Sequence, residues 1–263
     1  MCLILFALRS IPGVGFQLAA NRDEFFARPT SPANWWTDHP SILAGRDLRA
    51  GGTWLGISRS GRFAAITNFR DPASRRDDAP SRGALAGDFL LGAESPEQYL
   101  LRIAPEIAQY NGFSLLCGQA RPGEFMDFWF ISNRGVTHGN TGPLSVAPGV
   151  HGLSNHLLDE PWPKVVKGVA GLDALREREF SGQDHFALLA DETEAAEDEL
   201  PRTGVSPECE RRSSAIRIRD SVYGTRCSTV LRIAANGDVS FHERSFDVKG
   251  EIAGTLEYRF KIS

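Results

Sequence analysis

The chain has 263 residues, a net charge of −4, 41% apolar residues and 24% charged ones. That balance allows a sizeable core and leaves no field strong enough to draw in nucleic acid or an anionic membrane surface. No apolar run approaches the roughly 18 residues of a membrane span, and the opening run lacks the basic flank of a signal peptide. Cys2, Cys117, Cys209 and Cys227 show no CxxC spacing and no dense disulfide framework, so a reducing, cytoplasmic setting is expected, pairing of two of them being the alternative.

The first predicted element is a hairpin. Apolar runs at residues 3–7 and 16–20 flank a turn around Ser10-Ile11-Pro12-Gly13. Such pairing returns Asn21-Arg22-Asp23-Glu24 to the neighbourhood of Cys2. By itself Cys2 reads as a small core residue. With Met1 trimmed, however, it would carry a free α-amine beside its thiol. That amine has a pKa of about 8 and can accept the thiol proton. One residue then supplies nucleophile and base, and Arg22 or Arg226 is the cation placed to favour the thiolate.

Residues 25–50, rich in proline and carrying Trp35-Trp36, read as a folded loop. Gly51-Gly52-Thr53-Trp54-Leu55-Gly56 opens a second hairpin turning at Gly61 and ending at Asn68, followed by a charged loop over 70–82. Helices are expected over 83–91 and 95–108, the second capped by Ser95 with Pro96 behind it. Strands follow at 113–117 and 126–131, and Asn133-Arg134-Gly135 turns into 136–138. Helices at 163–177 and 183–189 lead to an acidic, solvated stretch at 191–199 and an Arg-rich connection over 211–219. Strands over 221–233, 239–244 and 255–260 close the chain. This is an α+β layout of antiparallel sheets in one domain spanning 1–263. There is no dinucleotide loop, Walker sequence, GxSxG or HExxH, and the spacing of His151 and His156 assigns no metal.

Ala20-Asn21-Arg22-Asp23-Glu24-Phe25, Gly51-Gly52-Thr53-Trp54-Leu55-Gly56-Ile57-Ser58, Asn111-Gly112-Phe113, Gly152-Leu153-Ser154-Asn155 and Tyr223-Gly224-Thr225-Arg226 together resemble the transport and Golgi organization protein 2 family, also called the NRDE family. That family resembles in turn the N-terminal nucleophile hydrolases of the bile-salt hydrolase and penicillin V acylase branch. The resemblance implies a four-layer αββα sandwich of two antiparallel sheets and amide hydrolysis through a thioester. It implies Cys2 as nucleophile, Asp23 orienting the amine, Asn68 as oxyanion donor, Asn155 as a second polar contact and Arg226 supporting the thiolate. Asn21, Arg22 and Trp54 are the candidate substrate contacts. Where the branch carries an arginine before its Asn-x-Asp, this chain has Ala20, and Arg22 is the nearest substitute. Hydrolysis needs no cofactor. The expected partner is a small amide or thioester, cleaved by an amidohydrolase or acyl transferase. The rival expectation is a non-catalytic carrier of haem or another amphipathic, lipid-like ligand, with Trp35, Trp36, Trp54 and Phe69 as aromatic walls.

Overall fold

The computed structural model of the chain describes residues 2–124, 126–135, 139, 142–176 and 178–263. Its organising element is the first hairpin, β1 (Cys2–Ile11) and β2 (Val14–Phe25), turned at Pro12-Gly13 with Gly13 at φ +72°. β2 is long enough to pair on its other edge with β11 (Tyr223–Ala234), which the intervening two hundred residues bring back antiparallel. β10 (Gly149–Leu153), β12 (Asp238–Phe246) and β13 (Ile252–Lys261) complete a sheet ordered β10-β1-β2-β11-β12-β13. The second sheet runs β3 (Thr30–Trp35), β4 (Ile42–Asp47), β5 (Leu55–Ser58), β6 (Arg62–Asn68), β7 (Phe113–Gln119), β8 (Asp127–Ser132) and β9 (Leu144–Ser145) in that order.

Strand periodicity sorts the side chains into layers. Ile4, Phe6 and Leu8 of β1 and Phe16, Leu18 and Ala20 of β2 face Leu55, Ile57, Phe63 and Ala65 of the second sheet, forming the central core. The alternate residues Leu3, Leu5, Ala7 and Ala19 face outward onto Val165, Leu172, Phe186 and Leu189. Those four belong to α3 (Pro163–Arg176) and α4 (Gly182–Leu189). On the opposite flank Ala64, Ile66, Leu115 and Cys117 lie under α1 (Gly83–Leu91) and α2 (Pro96–Ile103). The architecture is therefore a four-layer αββα sandwich. Among the described residues no helix is long and apolar enough to cross a membrane.

Several expectations need correction. Residues 25–50 are not a loop: they hold β3 and β4. The prolines misled because β3 is an edge strand, where a missing N–H leaves no ladder bond unmade, and its register breaks between Ser31 and Asn34. Trp36 is a core residue whose indole donates to the Ala44 carbonyl at 3.1 Å, and Trp35 packs edge-on against Phe260. The second predicted helix stops at Ile103, and residues 104–109 tighten into 3₁₀ geometry at Pro105. Ser95 forms the expected cap as part of a capping box with Gln98. The 211–219 connection begins inside a short helix, α5 (Pro207–Arg212), and then buries Ala215, Ile216 and Ile218. The strand expected at 136–138 and the last residue of the helix expected at 163–177 lie outside the described residues.

Gly52, in the Gly51-Gly52 pair after β4, lies against the start of α1. A Cβ there would stand 2.4 Å from the Gly83 carbonyl carbon, a contact with backbone that cannot swing away. Gly52→Ala should cost about 1–3 kcal/mol. A lower urea midpoint at unchanged slope is the expected reading.

Candidate functional site

The open end of the first sheet presents a row of side chains across three strands. Cys2 lies opposite Arg22, and Arg22 lies opposite Cys227. Directly opposed residues point the same way, so two thiols flank one guanidinium on the face that continues the central core. On the far side of β1, the segment after β10 brings in Asn155. Its Oδ1 accepts from the Cys2 backbone nitrogen at 3.3 Å, and its Nδ2 donates to the Asn68 carbonyl at 2.9 Å. Ser154 donates to the Cys2 carbonyl at 3.0 Å. Cys2, Arg22, Asp23, Trp54, Asn68, Asn155, Arg226 and Cys227 all line one cleft of ≈ 1450 Å³, covered in part by the 70–82 loop.

Asn68 enters this network through its carbonyl. Its side-chain amide stays exposed at the cleft, without a hydrogen-bond partner among the described residues. Trp54 and Phe69 line the cleft as expected, whereas Trp35 and Trp36 do not.

The Asn21-Arg22-Asp23 segment divides between the two faces of β2. Arg22 points to the cleft. Asn21 points to the helical layer, fully buried, where it donates to the carbonyls of Leu189 and Ile216 at 2.9 Å and accepts from Ser228 at 2.6 Å. The expectation that Asn21 contacts substrate is therefore corrected: strand alternation puts it on the wrong side, where it ties the sheet to α4 and the 213–218 segment. Asp23 follows Asn21 onto that face, at the strand end. Its Oδ1 accepts from the Thr225 hydroxyl at 2.7 Å, and its Oδ2 lies 4.0 Å from the Lys164 ammonium.

Each residue of Tyr223-Gly224-Thr225-Arg226 serves this segment. The Tyr223 hydroxyl donates to the Asp23 carbonyl at 3.0 Å, and Thr225 holds the Asp23 carboxylate. Gly224 passes so near the 218–220 backbone that a Cβ would meet the Ile218 oxygen at 2.8 Å. Arg226 sits in a register break between Thr225 and Cys227, and its guanidinium donates to the carbonyls of Phe25 at 2.9 Å and Arg28 at 3.1 Å. The expected role for Arg226 is thus corrected as well. Arg226 borders the cleft, yet its donors strap the chain leaving β2, and Arg22 is the guanidinium whose charge acts on the thiol.

Electrostatics follow from burial. Desolvation pushes the Cys2 thiol up and the Asp23 charge adds to it, against Arg22 and the Asp23 backbone N–H, which favour the thiolate. Burial raises the Asp23 carboxyl too, opposed by Lys164, Thr225 and Arg22. Lys164, 1% exposed, is brought down to about 8 by desolvation, with Asp23 pulling the other way. Cys227 is pushed well up by burial and by neighbouring Glu243, whose Oε1 accepts from the Ala33 N–H at 2.7 Å. The thiol of Cys2 is therefore held as a thiol, and the site needs a base to use it.

Sequence patterning does not reveal Lys164, Glu243 or the buried Arg70–Glu210 pair at 2.6 Å. Lys164 follows Pro161-Trp162-Pro163, a pattern that announces a helix start and says nothing of a charge turned inward. Among the described residues no group of three or more His, Cys, Asp or Glu side chains could hold a metal ion.

The sequence model of the family described as "Transport and Golgi organisation 2" matches residues 1–248. The mouse "Transport and Golgi organization 2 homolog" is 34% identical over 261 residues, covering 93% of both chains. The bovine homolog is 36% identical over the same length and coverage. Among solved structures, the Caenorhabditis elegans N-acylethanolamine-hydrolyzing acid amidase ortholog aligns at 10% identity with a TM-score of 0.43, over 89% of this chain and 93% of that one.

The raised thiol has a direct readout. Alkylation of Cys2 by iodoacetamide should still be accelerating above the ordinary thiol midpoint of about 8.5, and Arg22→Gln should move its midpoint higher. A rate already saturated at pH 7, followed by mass spectrometry of the Cys2 peptide, would mean a preformed thiolate.

Proposed function

The chain belongs to the Transport and Golgi organisation 2 family, and we propose that it is an N-terminal cysteine amidohydrolase or acyl transferase acting on a small amide or thioester. The observation that carries this reading is the Cys2 nitrogen held by the Asn155 amide in a cleft shared with the Cys2 thiol. Ordinary packing gives no reason to put a buried asparagine acceptor there. Trimming of Met1 turns that nitrogen into an α-amine already seated for use.

The reaction then runs on groups in place. The amine takes the thiol proton, and Sγ attacks the acyl carbon. Charge develops on the carbonyl oxygen, where the Asn68 amide is available as a donor. Collapse breaks the C–N bond, and the proton held by the amine passes to the leaving nitrogen. Water, giving its proton to the same amine, hydrolyses the thioester and restores the thiol. An amine acceptor in place of water makes the same chemistry an acyl transfer. A reducing, cytoplasmic setting keeps Cys2 available for it.

A carrier of haem or a lipid-like ligand is the second reading, favoured by the cleft's size: ≈ 1450 Å³ exceeds the roughly 300–1,000 Å³ of usual small-molecule sites. Burial works against thiolate ligation of iron by Cys2 or Cys227, since both thiols are pushed up.

Met-free protein, verified by intact mass, should take one acyl group from an activated ester and release it with turnover. Cys2→Ala should take none, and Asn68→Ala should acylate about 10²-fold more slowly. Stoichiometric binding of haem or acyl ligand with no covalent adduct at Cys2 would favour the carrier.

A further inference from the structure

We propose that Lys164 is a positioning residue for the nucleophile: its buried ammonium shares the Asp23 carboxylate and so leaves the Cys2 α-amine free to act as the base. The proposal rests on the N-terminal nucleophile reading above and adds to it the group that sets its working pH.

The geometry is specific. Lys164 is the second residue of α3, which packs on the outer face of the first sheet, and its ammonium points inward through that layer. Its Nζ has no hydrogen-bond partner among the described residues and stands 4.0 Å from Asp23 Oδ2. The first turn of a helix is its positive end, an adverse place for a cation. The charged and titratable groups facing it are few. Asp23 comes from β2 and Cys2 from β1, while Arg70, paired with Glu210 of α5, comes from the segment after β6. Asp23 is the main attraction and Arg70 repels. An alkyl side chain would fill the same space without the desolvation of a charge, so packing does not explain a lysine here. Lys164 does not line the cleft and cannot touch a substrate there.

The effect follows from the sign of the charges. Asp23, whose charge and backbone N–H already act on the Cys2 thiol, would alone hold the amine of that residue as an ammonium, which cannot accept the thiol proton. A second cation on the same carboxylate divides that attraction and repels the ammonium directly. Both effects lower the amine's pKa. The lowered Lys164 value of about 8 shows the opposing burial at work, and up to that pH the side chain still carries its charge.

The test is the pH dependence of Cys2 acylation by an activated ester in Met-free protein. Lys164→Met should move the acidic limb up by about one unit, a tenfold loss at neutral pH recovered at higher pH. Lys164→Arg, which keeps the charge, should restore the limb. Should Lys164→Met fail to fold, the double variant Asp23→Asn, Lys164→Met removes both buried charges. Its limb should return close to the wild-type position, whatever its absolute rate. A limb unmoved in Lys164→Met, or not restored by Lys164→Arg, or displaced upward in the double variant, overturns the proposal while leaving the nucleophile reading intact. A wild type that takes no label at any pH overturns both.

Discussion

The pairing of β2 between β1 and β11 is the constraint on which the cleft depends. It fixes Cys2 beside Arg22 and Arg22 beside Cys227, and it delivers Thr225 to Asp23 across two hundred residues of chain. A slip of one residue in either ladder would exchange inward and outward faces. Arg22 would then enter the helical layer and Asn21 the cleft. The register is protected by what each face buries. Leu18 and Ala20 fill the central core, while Asn21 satisfies two carbonyls and one hydroxyl outside it.

Two sequence motifs far apart are therefore one structural unit. Arg22 and Asp23 bring charge to the cleft, Asn21 anchors their strand, and Tyr223-Gly224-Thr225-Arg226 supplies the mounting. Buried groups of opposite charge meet at the cleft wall: Asp23 and Arg70 line it, and Lys164 and Glu210 stand behind them. Breaking one partner of such a pair typically costs about 3–5 kcal/mol, because the other is left charged in a dry place. Asp23 and Arg70 are thus also stability residues, whereas Cys2 carries no charge as a thiol.

The first hairpin was legible because its apolar runs alternate and its turn carries Pro-Gly, and from it the meeting of Cys2 with Arg22 followed. The α+β class with antiparallel sheets was legible from the hairpin–helix–strand order, and the four layers from the family resemblance. Three things were not. β3 and β4 were hidden by prolines, since sequence does not reveal that a strand will be an edge. The division of Asn21 from Arg22 needed strand alternation carried to the last residue of a ladder, beyond which Asp23 reaches around the sheet end. Arg226 misled because a register break, invisible in sequence, turns its guanidinium onto backbone carbonyls. Lys164 was silent because the depth of a lysine depends on what packs over it.

The row of Cys2, Arg22 and Cys227 also bears on oxidation. Two thiols facing one cleft suggest a redox lock, yet β2 lies between their strands. Two strand spacings put their Cα atoms about 9–10 Å apart, beyond the roughly 7 Å that a disulfide can bridge without moving backbone. Oxidants reaching the cleft can therefore cap each sulfur singly but cannot staple the pair. The intervening strand works as a spacer that keeps Cys2 from being locked to its own neighbour.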